Sequence, residues 1–195
     1  MYGKLNRCIS GAVALAIAFG VCAVPANAQN IEEKTQICGG CHGEDGKPAD
    51  KTIPAIWGQQ QGYIYIQLRD FKRGDRQNDI MQPIASSLER EDMLAIAEYF
   101  SKKPWPDLGQ PRAPKEIADR ALRANSSVGC TGCHLDQFQG DGTVPRLAGM
   151  SREYLTKTID DFRSRARGNN PGMSDLMLAT APEDLAALAE YLSGL

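Results

Sequence analysis

Histidine is scarce in this sequence: a chain of 195 residues has only two, His42 and His134. Six cysteines are present. Cys8 and Cys22 lie in an apolar N-terminal segment, and the other four belong to two motifs that each end in one of the histidines. The motifs are 92 residues apart (130 minus 38). That separation disfavours a zinc finger or ribbon, whose paired cysteines lie at short spacing.

Three further features are missing after residue 28. No segment there is apolar enough to cross a bilayer, and no useful length shows the alternating pattern of a β-strand. Basic residues are not in excess either. Without Lys4 and Arg7 of the N-terminal segment, 20 Lys and Arg stand against 24 Asp and Glu, a formal charge of −4. The sequence therefore gives no support to nucleic-acid binding.

The two motifs share the pattern Cys-x-x-Cys-His, which is typical of covalent haem attachment. In that pattern the thiols add to the porphyrin vinyl groups and the histidine binds the iron. A thioredoxin-like dithiol or half of a zinc site is the alternative, but neither requires histidine at the same offset twice. The sequence predicts two covalently bound haem c groups, the first attached through Cys38 and Cys41 beside His42, the second through Cys130 and Cys133 beside His134.

The chain also contains an internal duplication. A shift of 91 or 92 residues places residues 54–58 on 145–149, Tyr63 on Tyr154, residues 70–71 on 161–162, Met81 on Met173 and residues 97–99 on 189–191. The duplication predicts two similar units of roughly 80 residues.

Each unit is predicted to be all-α, because apolar residues recur at helical spacing. The predicted helices span residues 31–37, 62–73 and 89–101 in the first unit and 116–125, 152–165 and 182–193 in the second. Thr180 and Glu183 are predicted to form a capping box for the last helix. An irregular stretch that carries a methionine is expected before the closing helix of each unit.

Four segments follow from this organisation: a signal peptide at 1–28, an N-terminal domain at 29–103, a Pro-rich linker at 104–114 and a C-terminal domain at 115–195. The signal peptide has a basic start, an apolar run over residues 8–24 and a small-x-small cleavage site at 26–28. An uncleaved membrane anchor is the alternative. Four prolines make the linker extended and stiff, and few contacts are expected to cross it.

Methionine is the strong remaining candidate for the second axial ligand, because both histidines are assigned and no other cysteine follows residue 28. Five methionines follow that residue. Only Met81 and Met173 occupy equivalent positions in the two units, and they are the predicted ligands. Met93, Met150 and Met177 align with other residue types and are predicted to pack. Met177 stays a weaker alternative because it lies four residues after Met173.

Two further sets of residues have open interpretations. Pro54 and Pro145 are either simple loop prolines or the source of a carbonyl that orients the iron-binding histidine. A group of basic residues is either a solvated surface or a set of partners for haem propionates or for an acidic protein. This group consists of Lys72, Arg73, Arg76, Arg163, Arg165 and Arg167.

The chain resembles the dihaem class I cytochromes of the cytochrome c4 type. The likeness covers residues 38–43, 54–59, 63–71, Gly74 and 81–84 in the first half, and residues 130–134, 145–149 and Met173 in the second. The second half departs where Met150 replaces a glutamine, Arg165 replaces a glycine and Ser174 and Asp175 follow the methionine. The resemblance implies two tandem class I cytochrome c domains, each wrapped around one haem, that face each other across a pseudo-twofold interface.

The resemblance also implies a periplasmic electron carrier, not an enzyme, between respiratory complexes and a terminal oxidase. Two six-coordinate haems would leave no open position for a substrate, which favours the same function. The alternative is the cytochrome subunit of a flavin or molybdenum dehydrogenase complex. The expected partners are thus redox proteins, with transient docking on a membrane complex and no nucleic acid. Export by the signal peptide agrees with haem attachment outside the inner membrane.

Overall fold

The structure is a computed structural model that describes residues 26–195. This part of the chain forms nine helices and no β-strand, with one isolated bridge between Asp141 and Val144. Residues 1–25 of the predicted signal peptide, with Cys8 and Cys22, lie outside the described residues. Among the helices between residues 26 and 195, none has the length and apolar character needed to cross a bilayer.

The helices form two series in the same order. The first half has α1 (Ala26–His42), α2 (Gln61–Arg73), α3 (Met81–Ser86) and α4 (Arg90–Ser101). The second half has α5 (Lys115–Val128), α6 (Thr131–His134), α7 (Arg152–Arg163), α8 (Pro171–Ala179) and α9 (Pro182–Ser193). The packing repeats as well. In the first half, α4 contacts both α1 and α2, and α3 contacts α2. In the second half, α9 contacts both α5 and α7, and α8 contacts α7. The all-α prediction is confirmed.

Buried apolar side chains form the core of each half. In the first half they come from α2 and α4, and they include Ile64, Leu68, Ile96 and Phe100. In the second half α5, α7 and α9 supply a matching set, with Ala121, Phe162, Leu185 and Leu188 among its members. Burial of each large side chain contributes about 1.5–3 kcal/mol, which explains why the helical spacing of apolar residues predicts these helices.

One residue makes the two motif-bearing segments differ. α1 runs past its predicted end at residue 37 and includes the whole first motif, whereas α5 ends before the second motif and α6 begins anew. Gly129 ends α5 in the left-handed conformation, with φ of 81°. The equivalent position in the first half is Ile37, which cannot adopt that conformation cheaply and continues the helix.

The prediction of an irregular stretch around each methionine is wrong, because both methionines lie in short helices. Met81 is the first residue of α3, and Met173 lies in the first turn of α8. Each helix contains a proline, but Pro83 and Pro171 also lie in the first turn. The amides of the first turn have no partner within the helix, so proline is tolerated there.

The predicted capping box at Thr180 and Glu183 is also wrong. Ala181 is the N-cap of α9, and Pro182 takes the first helical position. The Thr180 hydroxyl instead donates to the carbonyl of Leu176 at 2.7 Å, so it belongs to the end of α8.

The linker at 104–114 contains no helix or strand, as predicted, but the expectation of few contacts is wrong. Trp105 packs against buried side chains of the second half, and Pro106 is buried. Gln110 donates to the carbonyls of Met150 and Ser193, at 3.0 and 3.2 Å. The linker is therefore fastened to the second half along much of its length.

The two halves contact each other directly through hydrogen bonds at the start of α2 and of α7. Gln59, which is 3% exposed, accepts from the amide of Arg146 at 2.7 Å and donates to its carbonyl at 3.0 Å. Gln60 donates to the carbonyls of Gln139 and Gly140, both in the loop before α7. In the opposite direction, the hydroxyl of Ser151 donates to the carbonyl of Lys51.

We expect Gln59→Ala to lower the free energy of unfolding by about 1–3 kcal/mol, because it leaves the amide and carbonyl of Arg146 without their partner in the interface. Denaturant unfolding followed by far-UV circular dichroism measures the loss. Gln36 is exposed on α1, and the control Gln36→Ala should change stability by less than about 0.5 kcal/mol. Equal stability of the two variants would show that the Gln59 contacts contribute nothing.

Candidate functional site

The two motifs lie at the ends of helices, where their side chains come together on one or two turns. Cys38, Cys41 and His42 form the end of α1. Cys130 directly precedes α6, and that helix contains Cys133 and His134. Residues three apart are neighbours on a helix surface, so the two thiols of each motif point to the same side. All four cysteines are free thiols.

Each histidine is buried and bonded to a proline carbonyl in the loop that follows it. Nδ1 of His42 lies 2.8 Å from the carbonyl oxygen of Pro54, and Nδ1 of His134 lies 3.0 Å from that of Pro145. A carbonyl can only accept, so Nδ1 carries the proton and Nε2 keeps its lone pair. This geometry supports the orienting role for Pro54 and Pro145 over the simple loop interpretation.

Burial keeps both imidazoles neutral. It lowers the pKa of His42 and of His134, and the hydrogen bond to the proline carbonyl opposes this effect only in part. A neutral imidazole is the form that binds a metal ion.

The two thiols of each motif differ in exposure. Cys38 and Cys130 are half-buried against the cores, and burial raises the pKa of each thiol. Cys41 and Cys133 are exposed. Each motif thus presents one thiol at the edge of the core and one towards solvent, an arrangement that is the same in both halves.

The methionines separate into two groups by burial. Met93, Met150 and Met177 are 4%, 3% and 5% exposed and belong to the cores, which agrees with their predicted packing role. Met81 and Met173 are half-buried and lie at the edge of a core. A half-buried thioether at the edge of a core can contact a large planar ligand, whereas one enclosed by protein atoms cannot.

An asparagine positions each of these two methionines. Oδ1 of Asn78 accepts from the amide of Met81 at 2.8 Å, and Oδ1 of Asn170 accepts from the amide of Met173 at 3.2 Å. Asn170 is the N-cap of α8. Asn78 lies two residues before Ile80, the N-cap of α3, and accepts from the amides of Ile80 and Met81. This pair was not predicted from the sequence, although the pattern Asn-x-x-Met recurs at the same place in both units.

Two of the basic residues that precede the methionines support the backbone instead of facing solvent. Lys72 donates to the carbonyl of Leu88 at 2.5 Å, and Arg163 donates to those of Met177 and Thr180, at 2.6 and 2.8 Å. Leu88 and Thr180 are equivalent positions. Each cation therefore holds the end of a methionine-bearing segment against the preceding helix.

Arg76 and Arg167 cross between the halves in a reciprocal way. Arg76 donates to the hydroxyl of Tyr154 at 3.3 Å, and Arg167 donates to that of Tyr63 at 3.1 Å. The arginines align with each other in the repeat, as do the tyrosines, so the two bonds are related by the pseudo-twofold symmetry. Each guanidinium also lies over a phenylalanine ring of its own half, at 4.6 and 4.4 Å.

This part of the interface has excess positive charge. Arg167 is 6% exposed, and the buried carboxylate nearby, Asp70, is shared with Arg69 at 2.7 Å. Burial raises the pKa of Tyr154, but the charges of Arg76 and Arg167 outweigh it and lower that pKa to about 7. The guanidinium groups of Arg76 and Arg167 are thus engaged by polar side chains of the interface.

Comparison with known proteins agrees with these observations. Residues 31–102 match the family model described as Cytochrome c. The chain is 30% identical over 180 residues to cytochrome c4 of Azotobacter vinelandii, which covers 83% of this chain and 86% of that protein. It is 35% identical over 167 residues to the thiosulfate dehydrogenase electron acceptor of Stutzerimonas stutzeri (strain A1501). That alignment covers 80% of this chain and 77% of the relative.

Among solved structures, reduced recombinant cytochrome c4 from Pseudomonas stutzeri aligns with a TM-score of 0.76 and 28% identity, over 86% of this chain and 98% of that one. The fold and the two motifs define a c-type cytochrome. The chain belongs to the cytochrome c4 family of dihaem electron carriers. The predictions of the family, the tandem class I fold and two covalently bound haem c groups are confirmed.

The residues of this chain fit that cofactor. Each half offers a neutral, buried imidazole with a free Nε2, two free thiols on one side of a helix, and a half-buried methionine. The chain is an electron carrier and not an enzyme, and its partners are redox proteins.

We expect Asn170→Ala to destabilise the protein by about 0.5–2 kcal/mol, because it removes the N-cap of α8. Asn170→Asp keeps an oxygen acceptor at the same place and serves as the control. Denaturant unfolding compares the two variants, and hydrogen exchange at the amide of Met173 should speed up only in the alanine variant. Equal exchange rates in both would contradict the capping role.

Proposed function

We propose that the four motif cysteines attach the two haems and that each iron is bound by one histidine and one methionine. The first set is Cys38, Cys41, His42 and Met81, and the second is Cys130, Cys133, His134 and Met173. The pair of buried histidines supports this most directly, because each has Nδ1 engaged by a proline carbonyl and only Nε2 free. A bound haem would supply a one-electron ferric–ferrous couple.

The methionine assignment determines how each site works. A thioether stabilises ferrous iron and so raises the reduction potential. A histidine and a methionine would together hold each iron, and this would leave no place on the iron for a substrate. The chain's own contribution is to hold these side chains still: the proline carbonyl fixes the imidazole ring, and the asparagine side chain binds the backbone amide of the methionine.

We further propose that this carrier takes electrons from respiratory donors and passes them to a terminal acceptor such as an oxidase. In each half one motif thiol is exposed and the proposed methionine ligand is half-buried. Each site therefore lies near the surface, which supports electron exchange through transient contact with such partners.

The second candidate is the cytochrome component of a dehydrogenase system. One relative is named a thiosulfate dehydrogenase electron acceptor. Another, from Chlorobaculum tepidum, is named the cytochrome subunit of sulfide dehydrogenase and is 39% identical over 85 residues, 42% of this chain. Purification from native cells under gentle conditions distinguishes the two functions, because a subunit would remain with a flavin or molybdenum protein and a free carrier would elute alone.

We propose that the chain is exported and acts in the periplasm, with a signal peptide at 1–28, domains at 29–103 and 115–195, and a linker at 104–114. The basic start, apolar run and small-x-small site support the leader. The repeated packing of α1 to α4 and of α5 to α9 supports the two domains.

The exported holoprotein should begin at Gln29. Its intact mass, after subtraction of two haem groups, should equal that of residues 29–195. A mass that still includes residues 1–28 would contradict cleavage and make the apolar segment an anchor. Expression with Ala26→Asp and Ala28→Asp together, which removes the small residues that signal peptidase needs, is the control and should retain the leader.

Replacement of Met81 or Met173 by alanine should open one iron to water and lower its reduction potential. The ferric thioether charge-transfer band should fall by about half in either variant, because each removes one of two equivalent iron–sulfur bonds. Optical spectroscopy and a redox titration measure both effects.

The matched control is Met177→Ala. Met177 lies in the same helix as Met173 but is enclosed by the core, so its loss should leave the band intact and lower stability by about 2–5 kcal/mol. If Met177→Ala removes half of the band and Met173→Ala does not, the assignment for the second haem is wrong.

A further inference from the structure

Trp105 is the one tryptophan of the linker, and it lies between two glycines that are equivalent in the repeat, Gly58 and Gly149. A methyl group at Gly58 would come within 2.9 Å of the Trp105 amide nitrogen. A methyl group at Gly149 would come within 2.9 Å of Nε1 of the same tryptophan. The linker backbone thus approaches the first half as closely as the indole ring approaches the second.

Both glycines are held rigidly in place. Gly58 has φ of 65° and Gly149 has φ of 75°, a region that other residues occupy only with strain. The amide of Gly58 donates to the carbonyl of Phe100 at the end of α4, and that of Gly149 donates to Leu192 at the end of α9, both at 2.9 Å. Each glycine is therefore hydrogen-bonded to the end of the closing helix of its own half.

The indole ring has a second set of contacts that involves both halves. It packs on a buried cluster that combines Ala55 of the first half with side chains of the second, among them Phe138 and Leu192. The guanidinium of Arg146 lies 4.6 Å above the ring, which is a cation–π contact. Arg146 is also the residue whose backbone is paired with Gln59 of the first half.

We propose that Trp105 is a positioning residue that sets how the two haem-binding halves are placed relative to each other. This one linker residue approaches the equivalent glycines of both halves, so it acts on two equivalent surfaces. Electron transfer between two fixed redox centres depends steeply on their separation and orientation. A side chain that fixes the placement of the halves therefore governs the rate of transfer between the haems, without contact with either ligand set.

The test compares Trp105→Ala with Leu192→Ala in the exported holoprotein. Both variants remove a side chain from the same buried cluster, but Leu192 belongs to α9, the closing helix of the second half, whereas Trp105 belongs to the linker. Three quantities are measured. The first is the rate of electron transfer between the haems after rapid one-electron reduction. The second is the Soret circular dichroism couplet, which reports the mutual orientation of the haems, and the third is cleavage of residues 104–114 by protease.

We expect Trp105→Ala to slow the electron transfer on the order of tenfold, since a small displacement of reacting groups from their productive geometry can lower a rate by up to about 10²-fold. The couplet should weaken and the linker should become sensitive to protease. The thioether band should persist, because the ligands are untouched. Leu192→Ala should lower the unfolding temperature and leave the rate and the couplet as in the wild type.

Two outcomes would overturn the proposal: a wild-type rate and couplet in Trp105→Ala, or equal changes in both variants. If Trp105→Ala fails to fold, Gly149→Ala provides the same test, because it keeps the tryptophan but pushes against Nε1. A displaced ring should then weaken the couplet, and an unchanged couplet in a folded Gly149→Ala variant would equally refute the role.

Discussion

A hydrogen bond from a buried imidazole to a proline carbonyl underlies the arrangement of each half. It ties the end of the motif-bearing helix to a loop 12 residues further on in the first half and 11 in the second. Burial lowers the pKa of the imidazole, and the carbonyl can only accept, so the ring stays neutral with Nε2 free. Because the loop that supplies this carbonyl continues into the interface, the same segment orients the histidine and places one half against the other.

The interface combines symmetric and asymmetric contacts. The two arginine–tyrosine bonds are exchanged between the halves, as expected when a duplicated unit packs on its own copy. Gln59 and Trp105 break that symmetry. Met150 takes the place of Gln59 in the second half and is buried in a core. Trp105 lies in the single linker that joins the halves. The symmetric contacts follow from the duplication, whereas the asymmetric ones select a single arrangement of the two halves.

The motifs, the repeat and most helices could be predicted from the sequence because each depends on local pattern. The amphipathic helices began within about one residue of their predicted starts, and the equivalence of Met81 and Met173 separated them from three methionines that prove to be buried. The failures involve non-local effects. Pro83 and Pro171 are compatible with helices because they fall in a first turn, and this depends on where each helix begins. The linker was predicted to be extended, with few contacts across it, because four prolines stop helix formation. Nothing in its composition shows that Gln110 and Trp105 contact the second half.

The two proposed sites have the same ligands but different surroundings. Gly43 follows the first motif with φ of 87°, while Leu135 takes the equivalent place with φ of 65°, and Arg165 replaces Gly74 in the same left-handed conformation. Such conformations cost about 1–3 kcal/mol each for a residue with a side chain, so the second half holds its motif loop and its methionine segment under strain that the first half lacks. Axial ligands, hydrogen bonding and burial set the potential of a haem. Since the proposed ligands are identical and both histidines bond to a proline carbonyl, a difference between the two potentials would arise outside the ligands, in surroundings such as these loops and the asymmetric side of the interface.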